Sequence, residues 1–187
     1  MRIIGGKFRG KKIFYTNSPI TRPLRDYVKE NIFNIITHGK NFKLNLDKAN
    51  ILDLYSGIGS FGIECLSRNA SKVVFIEKDP LAFSILKKNI YNLKIENRSE
   101  LIFSDIEHHF KGLNTKEKFD LIFLDPPYKN ITFIEVMSII KEKKIFHRKH
   151  KVIIHRERKY DEELDKIIKV EFVKNYGRSK IIFGFFK

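Results

Sequence analysis

Asp125-Pro126-Pro127-Tyr128 joins a carboxylate, two consecutive prolines and an aromatic ring directly after the apolar run Phe119 to Leu124. The prolines fix the backbone and remove two donors, so the segment presents acceptors, the Asp125 carboxylate and the Pro126 carbonyl, beside the Tyr128 ring. Such a pair can hold both hydrogens of an exocyclic base amine. That amine is a weak nucleophile because its lone pair is delocalised into the ring. Binding its hydrogens favours the pyramidal form and frees the lone pair for a methyl group aligned behind it. Tyr128 could stack on the base, which must then be unpaired or flipped out. Chemistry of this kind rests on positioning and hydrogen bonding and calls for no metal. A rigid turn leaving a buried strand would use the same four residues, so a second cluster has to decide.

That cluster is Asp53-Leu54-Tyr55-Ser56-Gly57-Ile58-Gly59-Ser60-Phe61-Gly62, a G-x-G-x-x-G between a predicted strand and a predicted helix. Glycines let the backbone approach a ligand, and the helix start beyond them offers free N–H groups. Dinucleotide-dependent oxidoreductases use the same arrangement with an acidic residue at the end of the next strand, and Glu77 satisfies both readings. Asp53 separates them. At the end of the first strand it would face a pyrophosphate unfavourably but could hold an ammonium, and S-adenosylmethionine carries an ammonium and no phosphate. Glu77 would then accept from the ribose hydroxyls. Asp105, after the third strand, would meet the adenine amine, with an N-cap of the following helix as the competing role. The expected cofactor contacts are Asp53, Tyr55, Gly57, Gly59, Glu77, Lys78, Asp105 and Ile106.

These residues need strands that end along one edge. From Ala49 onward, short apolar runs alternate with helical spacing, which predicts βαβ units and a mostly parallel sheet with helices on both faces. Strands are expected at Asn50 to Leu54, Lys72 to Ile76, Ser99 to Phe103, Phe119 to Leu124 and Lys151 to His155. Helices are expected at Phe61 to Arg68, Leu81 to Leu93, Glu107 to Leu113 and Phe133 to Ile145. Ile167 to Val173 and Lys180 to Phe186, joined through Asn175-Tyr176-Gly177-Arg178, read as a C-terminal antiparallel pair. Upstream, Ile3 to Tyr15 reads as two short strands around Gly5, Gly6 and Gly10. Thr21-Arg22-Pro23 then opens an amphipathic helix over Asp26 to Ile36. The polar stretch Thr37 to Lys48 separates two parts, a basic arm and helix at residues 1–40 and a catalytic unit at 41–187.

The formal charge is 37 − 22 = +15, a field that attracts polyanions and binds them in a salt-dependent way. Nucleic acid is the expected partner, although a codon bias towards lysine would raise the charge without a selected surface. Arg2, Lys7, Arg9, Lys11, Lys12, Arg22 and Arg25 are interleaved with Phe8, Phe14 and Tyr15, as a phosphate-gripping surface would be, or as a charged edge that discourages aggregation. Arg2, Lys7, Arg9, Arg22, Arg25 and Arg178 are the expected RNA contacts, with Arg22 and Arg178 nearest the reacting base. Cys65, the sole cysteine, reads as a small core residue. No disulfide can form within the chain, and no signal peptide or membrane span is apparent, so a cytoplasmic protein is expected. His108 and His109 are adjacent, and His38, His147, His150 and His155 lack metal-ligand spacing, which predicts surface or helix-end roles.

The chain resembles the bacterial RsmD-like family of small-subunit ribosomal RNA guanine-N2 methyltransferases over nearly its whole length. The likeness rests on Arg2-Ile3-Ile4-Gly5-Gly6 with Arg9-Gly10, on Arg22-Pro23 followed by Val28, Glu30, Phe33 and Asn34, on the Asp53 to Gly62 loop, on Phe75-Ile76-Glu77 and on Asp125 to Tyr128. It implies a Rossmann-like class I methyltransferase sheet with an N-terminal basic β-hairpin and helix extension, and S-adenosylmethionine as donor. It also implies a monomer acting on a guanine of 16S rRNA in an assembled or partly assembled small subunit. Leu24 departs from the family, which usually has Thr after Arg-Pro, and removes a hydroxyl near the substrate. Asp125-Pro-Pro-Tyr also occurs in adenine-N6 methyltransferases of DNA or RNA, which keeps that activity as the alternative. A non-catalytic nucleic-acid-binding module is the alternative of another class, and an NAD-dependent oxidoreductase the outsider.

Overall fold

The computed structural model describes residues 1–15, 24–112, 115–127 and 130–187. These hold strands β1 Asn50–Leu54, β2 Lys72–Glu77, β3 Ser99–Phe103, β4 Phe119–Leu124, β5 Phe146–Glu157, β6 Ile168–Tyr176 and β7 Ser179–Phe186. The helices are α1 Asp26–His38, α2 Ser60–Ser67, α3 Pro80–Leu93, α4 Ile106–Gly112 and α5 Phe133–Lys143. One sheet takes the order β3-β2-β1-β4-β5-β7-β6. Strands β1 to β5 are parallel, while β7 runs antiparallel to both β5 and β6. The central strands are apolar almost throughout because both faces are covered. Ile51, Phe123, Ile153 and Phe183 pack with α1, α2 and α3, whereas Leu52, Leu124, Ile154 and Ile182 pack with α4 and α5. The order of connection reverses between β1 and β4, and ligands of open parallel sheets bind in the crevice at such a point.

The N-terminal arm departs from the expected pair of strands. A single antiparallel bridge, Arg2 to Lys12, flanks a 3-10 turn at Gly6–Phe8. Across the arm the Ile3 N–H donates to the Lys11 carbonyl, the Gly10 N–H to the Ile3 carbonyl and the Ile13 N–H to the Met1 carbonyl, and other backbone groups bond to the helices beneath. Glu64 accepts the Ile4 N–H at 2.9 Å, and Ser67 accepts the Phe8 N–H and donates to the Gly5 carbonyl. Asn89 accepts the Phe14 N–H at 2.7 Å and donates to the Phe14 and Ile58 carbonyls. The arm therefore lies along α2, with its turn at the C-terminal end of that helix. Ile3, Phe8 and Ile13 join the core under α2 and α3, and Leu24 is buried there too, as a packing residue in place of a hydroxyl. Lys29, one turn from Ile32 and Phe33 on the inward face of α1, is fully buried beneath the arm. Its ammonium donates to the Arg2 carbonyl at 3.0 Å and lies 4.0 Å from Glu64, and burial pushes its pKa down.

Strand β5 begins at Phe146, five residues earlier than the apolar run suggests, and continues to Glu157. A register shift between the Phe119–Phe146 and Leu121–Lys151 pairings carries the polar residues in between. Within the polar stretch Thr37 to Lys48, Phe42 and Leu46 are buried, Phe42 lying edge-on to Phe172 and Phe183.

Candidate active site

Asp53 closes β1 on the face covered by α2, where it is 1% exposed. One carboxylate oxygen accepts the Gly62 N–H at 2.9 Å, and the other has no hydrogen-bond partner among the described residues. Burial raises its pKa well above the usual carboxylate value despite the Gly62 N–H, and the charges of Asp125 and Glu77 push in the same direction. A buried oxygen without a partner is costly in isolation. A cationic donor placed against it would remove both the orphan and the proton, so the ammonium of S-adenosylmethionine fits.

The loop that follows is held by its own chemistry. Tyr55 takes a positive φ of 58° despite its bulky side chain, a strained conformation of the kind that clusters at ligand sites. Gly59 has φ +84°, and a Cβ there would stand 2.4 Å from Leu86 Cδ1. At Gly62 a Cβ would meet Phe75 at 2.3 Å, so this glycine lets α2 close on β2. Glu77 is 8% exposed. Its Oε2 accepts the Gly57 N–H at 2.7 Å and its Oε1 the N–H groups of Lys78 and Asp79 at 2.8 and 2.7 Å. It thus ties the glycine loop to the end of β2, and ribose hydroxyls would have to share these oxygens.

A cleft opens beside this loop, lined by Tyr55, Glu77, Lys78, Asp105 and Ile106, with Glu107, Asn130, Thr132 and Val136 completing it. Five of the eight expected cofactor contacts therefore share one space. Burial raises the Tyr55 phenol above its ordinary value, so it stays a neutral donor. Asp105 caps α4, accepting the Glu107 and His108 N–H groups at 3.0 and 3.3 Å, and pairs with the Lys78 ammonium at 2.9 Å. The Lys78 hydrogen bond holds its pKa below the usual value. The capping role is thus realised, and an adenine amine would compete with Lys78 for the same carboxylate.

Asp125 stands one strand over from Asp53, its N–H donating to the Leu54 carbonyl at 3.3 Å. The parallel register of β4 and β5 sets His155 beside it, and His155 Nδ1 lies 2.8 Å from Asp125 Oδ1. Burial lowers the imidazole pKa, but the charge and hydrogen bond of Asp125 outweigh burial and the opposing charge of Arg156, so the net shift is upward. On the other face of β5, Arg156 is 1% exposed. It donates to the carbonyls of Pro127 at 3.1 Å and Pro126 at 3.5 Å and pairs with Glu162 at 2.6 Å. Its guanidinium lies 4.5 Å from the centre of the Phe133 ring. The Pro126 carbonyl keeps a lone pair for a ligand.

His155 is therefore not a surface or helix-end histidine, contrary to expectation, and Arg156 and Glu162 carried no motif. Position was their one signal, since His155-Arg156 ends the strand next to the one that Asp125 follows. Arg178 sits in the β6–β7 turn, and Ser179 beside it pairs with Glu157, so it belongs to the same edge as Asp125. Arg2 lies 3.7 Å from Asp26, and its backbone is near the start of α2. Arg25 is the N-cap of α1. Lys7 and Arg9 flank the arm's turn at the other end of α2, about 12 Å farther along at 1.5 Å per residue. Arg22 and Tyr128 lie outside the described residues. Among those residues no group of three or more His, Cys, Asp and Glu could hold a metal ion. No helix is long and apolar enough to cross a membrane.

The model of a family described as conserved hypothetical protein 95 matches residues 1–185. A Haemophilus influenzae protein named ribosomal RNA small subunit methyltransferase D is 36% identical over 143 residues, 76% of this chain and 71% of that one. A Haemophilus influenzae tRNA1(Val) (adenine(37)-N6)-methyltransferase is 37% identical over 81 residues, 42% of this chain and 34% of its own length. Among solved structures, an Escherichia coli protein provisionally described as a methyltransferase superposes with a TM-score of 0.82, covering 100% of this chain and 98% of that one. At 24% identity that likeness shows the fold.

Proposed function

This chain belongs to the RsmD-like family, whose model is described as conserved hypothetical protein 95, and we propose on that premise that it methylates the exocyclic N2 amine of a guanine in 16S rRNA with S-adenosylmethionine as donor. The observation that carries the reading is the pairing of strand ends. A buried carboxylate with one unpartnered oxygen, Asp53, closes β1, and the acceptor turn at Asp125 leaves the neighbouring β4. The donor, when bound, supplies a methyl group on a sulfonium.

Asp53 takes the ammonium, Glu77 the ribose, and Tyr55 with Ile106 encloses the adenine. Asp125 and the Pro126 carbonyl accept hydrogen bonds from the base amine, with Tyr128 stacking on the base, so that the nitrogen lone pair faces the methyl group; as the N–C bond forms the S–C bond breaks to leave a neutral thioether, and the Asp125 carboxylate takes the proton that the methylated nitrogen sheds. The chain works by placement and hydrogen bonding, which stabilise the developing charge without reorganisation. Residues 1–40 act as the RNA-contacting part and 41–187 as the transfer unit, in a cytoplasmic monomer that engages the small subunit before or after its assembly is complete. Arg2, Arg25 and Arg178 meet the strand near the target, and Lys7 and Arg9 grip phosphate farther away.

The test is transfer of labelled methyl to small ribosomal subunits from cells lacking this protein, followed by mass mapping. A single N2-methylguanine supports the proposal. N6-methyladenine would favour the second reading, which the partial likeness to an adenine-N6 methyltransferase supports. RNA binding with no donor binding and no transfer would mark a binding module instead.

A further inference from the structure

Asp125 has two carboxylate oxygens and only one of them can face a base amine productively, so something must set the rotation of the group. Among the described residues, the side chain that holds it is His155. Alternation along β1, β4 and β5 puts Asp53, Asp125 and His155 on one face of the sheet, since Ile51, Phe123 and Ile153 two residues earlier all pack against α1 to α3. His155 is buried between the end of β4 and β7, where it pairs in register with the apolar Ile181. Its Nδ1 meets Oδ1 of Asp125 at 2.8 Å across 30 residues of sequence. The next residue, Arg156, backs the same turn from the other face through the Pro126 and Pro127 carbonyls.

We propose that His155 is a positioning residue for methyl transfer, fixing the Asp125 carboxylate through Oδ1 so that Oδ2 points at the base amine. The inference rests on the proposed function above. An Nδ1–H donates to Asp125 whether the ring is neutral or charged, so the geometry persists across pH, but the charged ring neutralises Asp125 and weakens it as an acceptor. Among the described residues, the charged groups set against the ring are Asp125 itself, Arg156 beside it, and Asp53 beyond Asp125 on the neighbouring strand. Burial opposes the charged ring and Asp125 favours it, and Asp125 prevails. Turnover at saturating donor should therefore fall as pH drops through a value above the ordinary 6.5.

The experiment compares wild type, His155→Asn and His155→Leu in kcat and KM with small subunits as substrate, from pH 5.5 to 8.5. Asn places an amide N–H where Nδ1 stands and does not titrate. The expected result is that His155→Leu lowers kcat about 10- to 100-fold, while KM for RNA, donor affinity and melting temperature change little. His155→Asn should restore kcat to within about threefold of wild type and lose the acid limb. In an Asp125→Ala background His155→Leu should have no further effect. Equal kcat in wild type and His155→Leu overturns the inference while leaving the proposed function standing, and so does His155→Asn as slow as His155→Leu. A wild-type protein that methylates no RNA overturns the proposed function, and the inference falls with it.

Discussion

Replacing Asp53 by Asn keeps the shape of the side chain and the acceptor for the Gly62 N–H but removes the charge beside the unpartnered oxygen. If that oxygen takes the donor's ammonium, the substitution deletes a charge-assisted hydrogen bond, which contributes about 1.5–3 kcal/mol. At 1.4 kcal/mol per tenfold, Kd for S-adenosylmethionine should rise about 10- to 150-fold. The raised pKa adds a proton signature. In the free protein burial favours the neutral acid, and a bound ammonium favours the carboxylate, so binding expels a proton below the raised value. Wild-type affinity should therefore strengthen as pH rises through that range, by up to about tenfold per unit for one proton, and Asp53→Asn should show no such slope. Stability runs the other way. A group whose folded pKa is raised contributes stability below its unfolded value of 3.8, and this is lost as pH climbs through the folded value. The free protein should thus lose stability over the same range, and Asp53→Asn should not. Calorimetry in two buffers of different ionisation heat measures affinity and protons together. Methylthioadenosine, which lacks the amino acid part, is the control and should bind both proteins alike. Equal affinity of the two proteins for S-adenosylmethionine, or an equal loss for methylthioadenosine, would refute the assignment.

Asp125→Ala should leave donor affinity within about twofold and reduce kcat on RNA by about 10²–10³, because the deleted acceptor meets the base amine and not the sulfonium. Unchanged turnover would sink the acceptor mechanism. Arg2, Lys7 and Arg9 changed together to Ala should weaken RNA binding and reduce the salt slope by about 2–3 units if each meets a phosphate, as filter binding over a salt series would register. A matching loss of donor affinity would point instead to a folding defect. Gly62→Ala should lower stability by about 1–3 kcal/mol through overpacking against Phe75, a fall in melting temperature of about 2–12 °C at this chain length. An unchanged melting temperature would mean that α2 can back away from β2.

What the sequence made legible follows from where a local signal is strong enough to survive packing. β1 and β4 begin and end where the apolar runs do, because strands covered on both faces carry few polar residues to blur the boundary, and the edge strand β3 is bounded by its run as well although none of its residues is buried. Glu77 and Asp125 stand out as the first polar residues after such runs, and Asp53 as the carboxylate within β1 just before the glycine loop. Lys29 shows the limit. Helical spacing sets it with Ile32, Phe33 and Ile36 on the apolar face of α1, where its charge is out of place, and it can be buried because a segment some twenty-five residues earlier in the chain folds over it and supplies the Arg2 carbonyl. The arm was legible in outline and not in extent. Its pattern suits a hairpin, and Ile3, Gly10 and Ile13 do bond across it, but the 3-10 turn at Gly6–Phe8 and the acceptors on Glu64, Ser67 and Asn89 limit the pairing to one bridge and tie the rest to α2 and α3. His155 and Arg156 combine both effects. Each is polar at the end of a strand, which locally reads as the point where the strand dissolves into solvent. β7 instead extends the ladder past them, pairing Ile181 and Lys180 with the two, so that both side chains are enclosed and face the Asp125 turn. A sheet can keep polar residues in its interior only where they have partners. Here those partners are the carboxylate and carbonyls of the acceptor turn, which is why the residues hardest to read locally are the ones that meet the candidate chemistry.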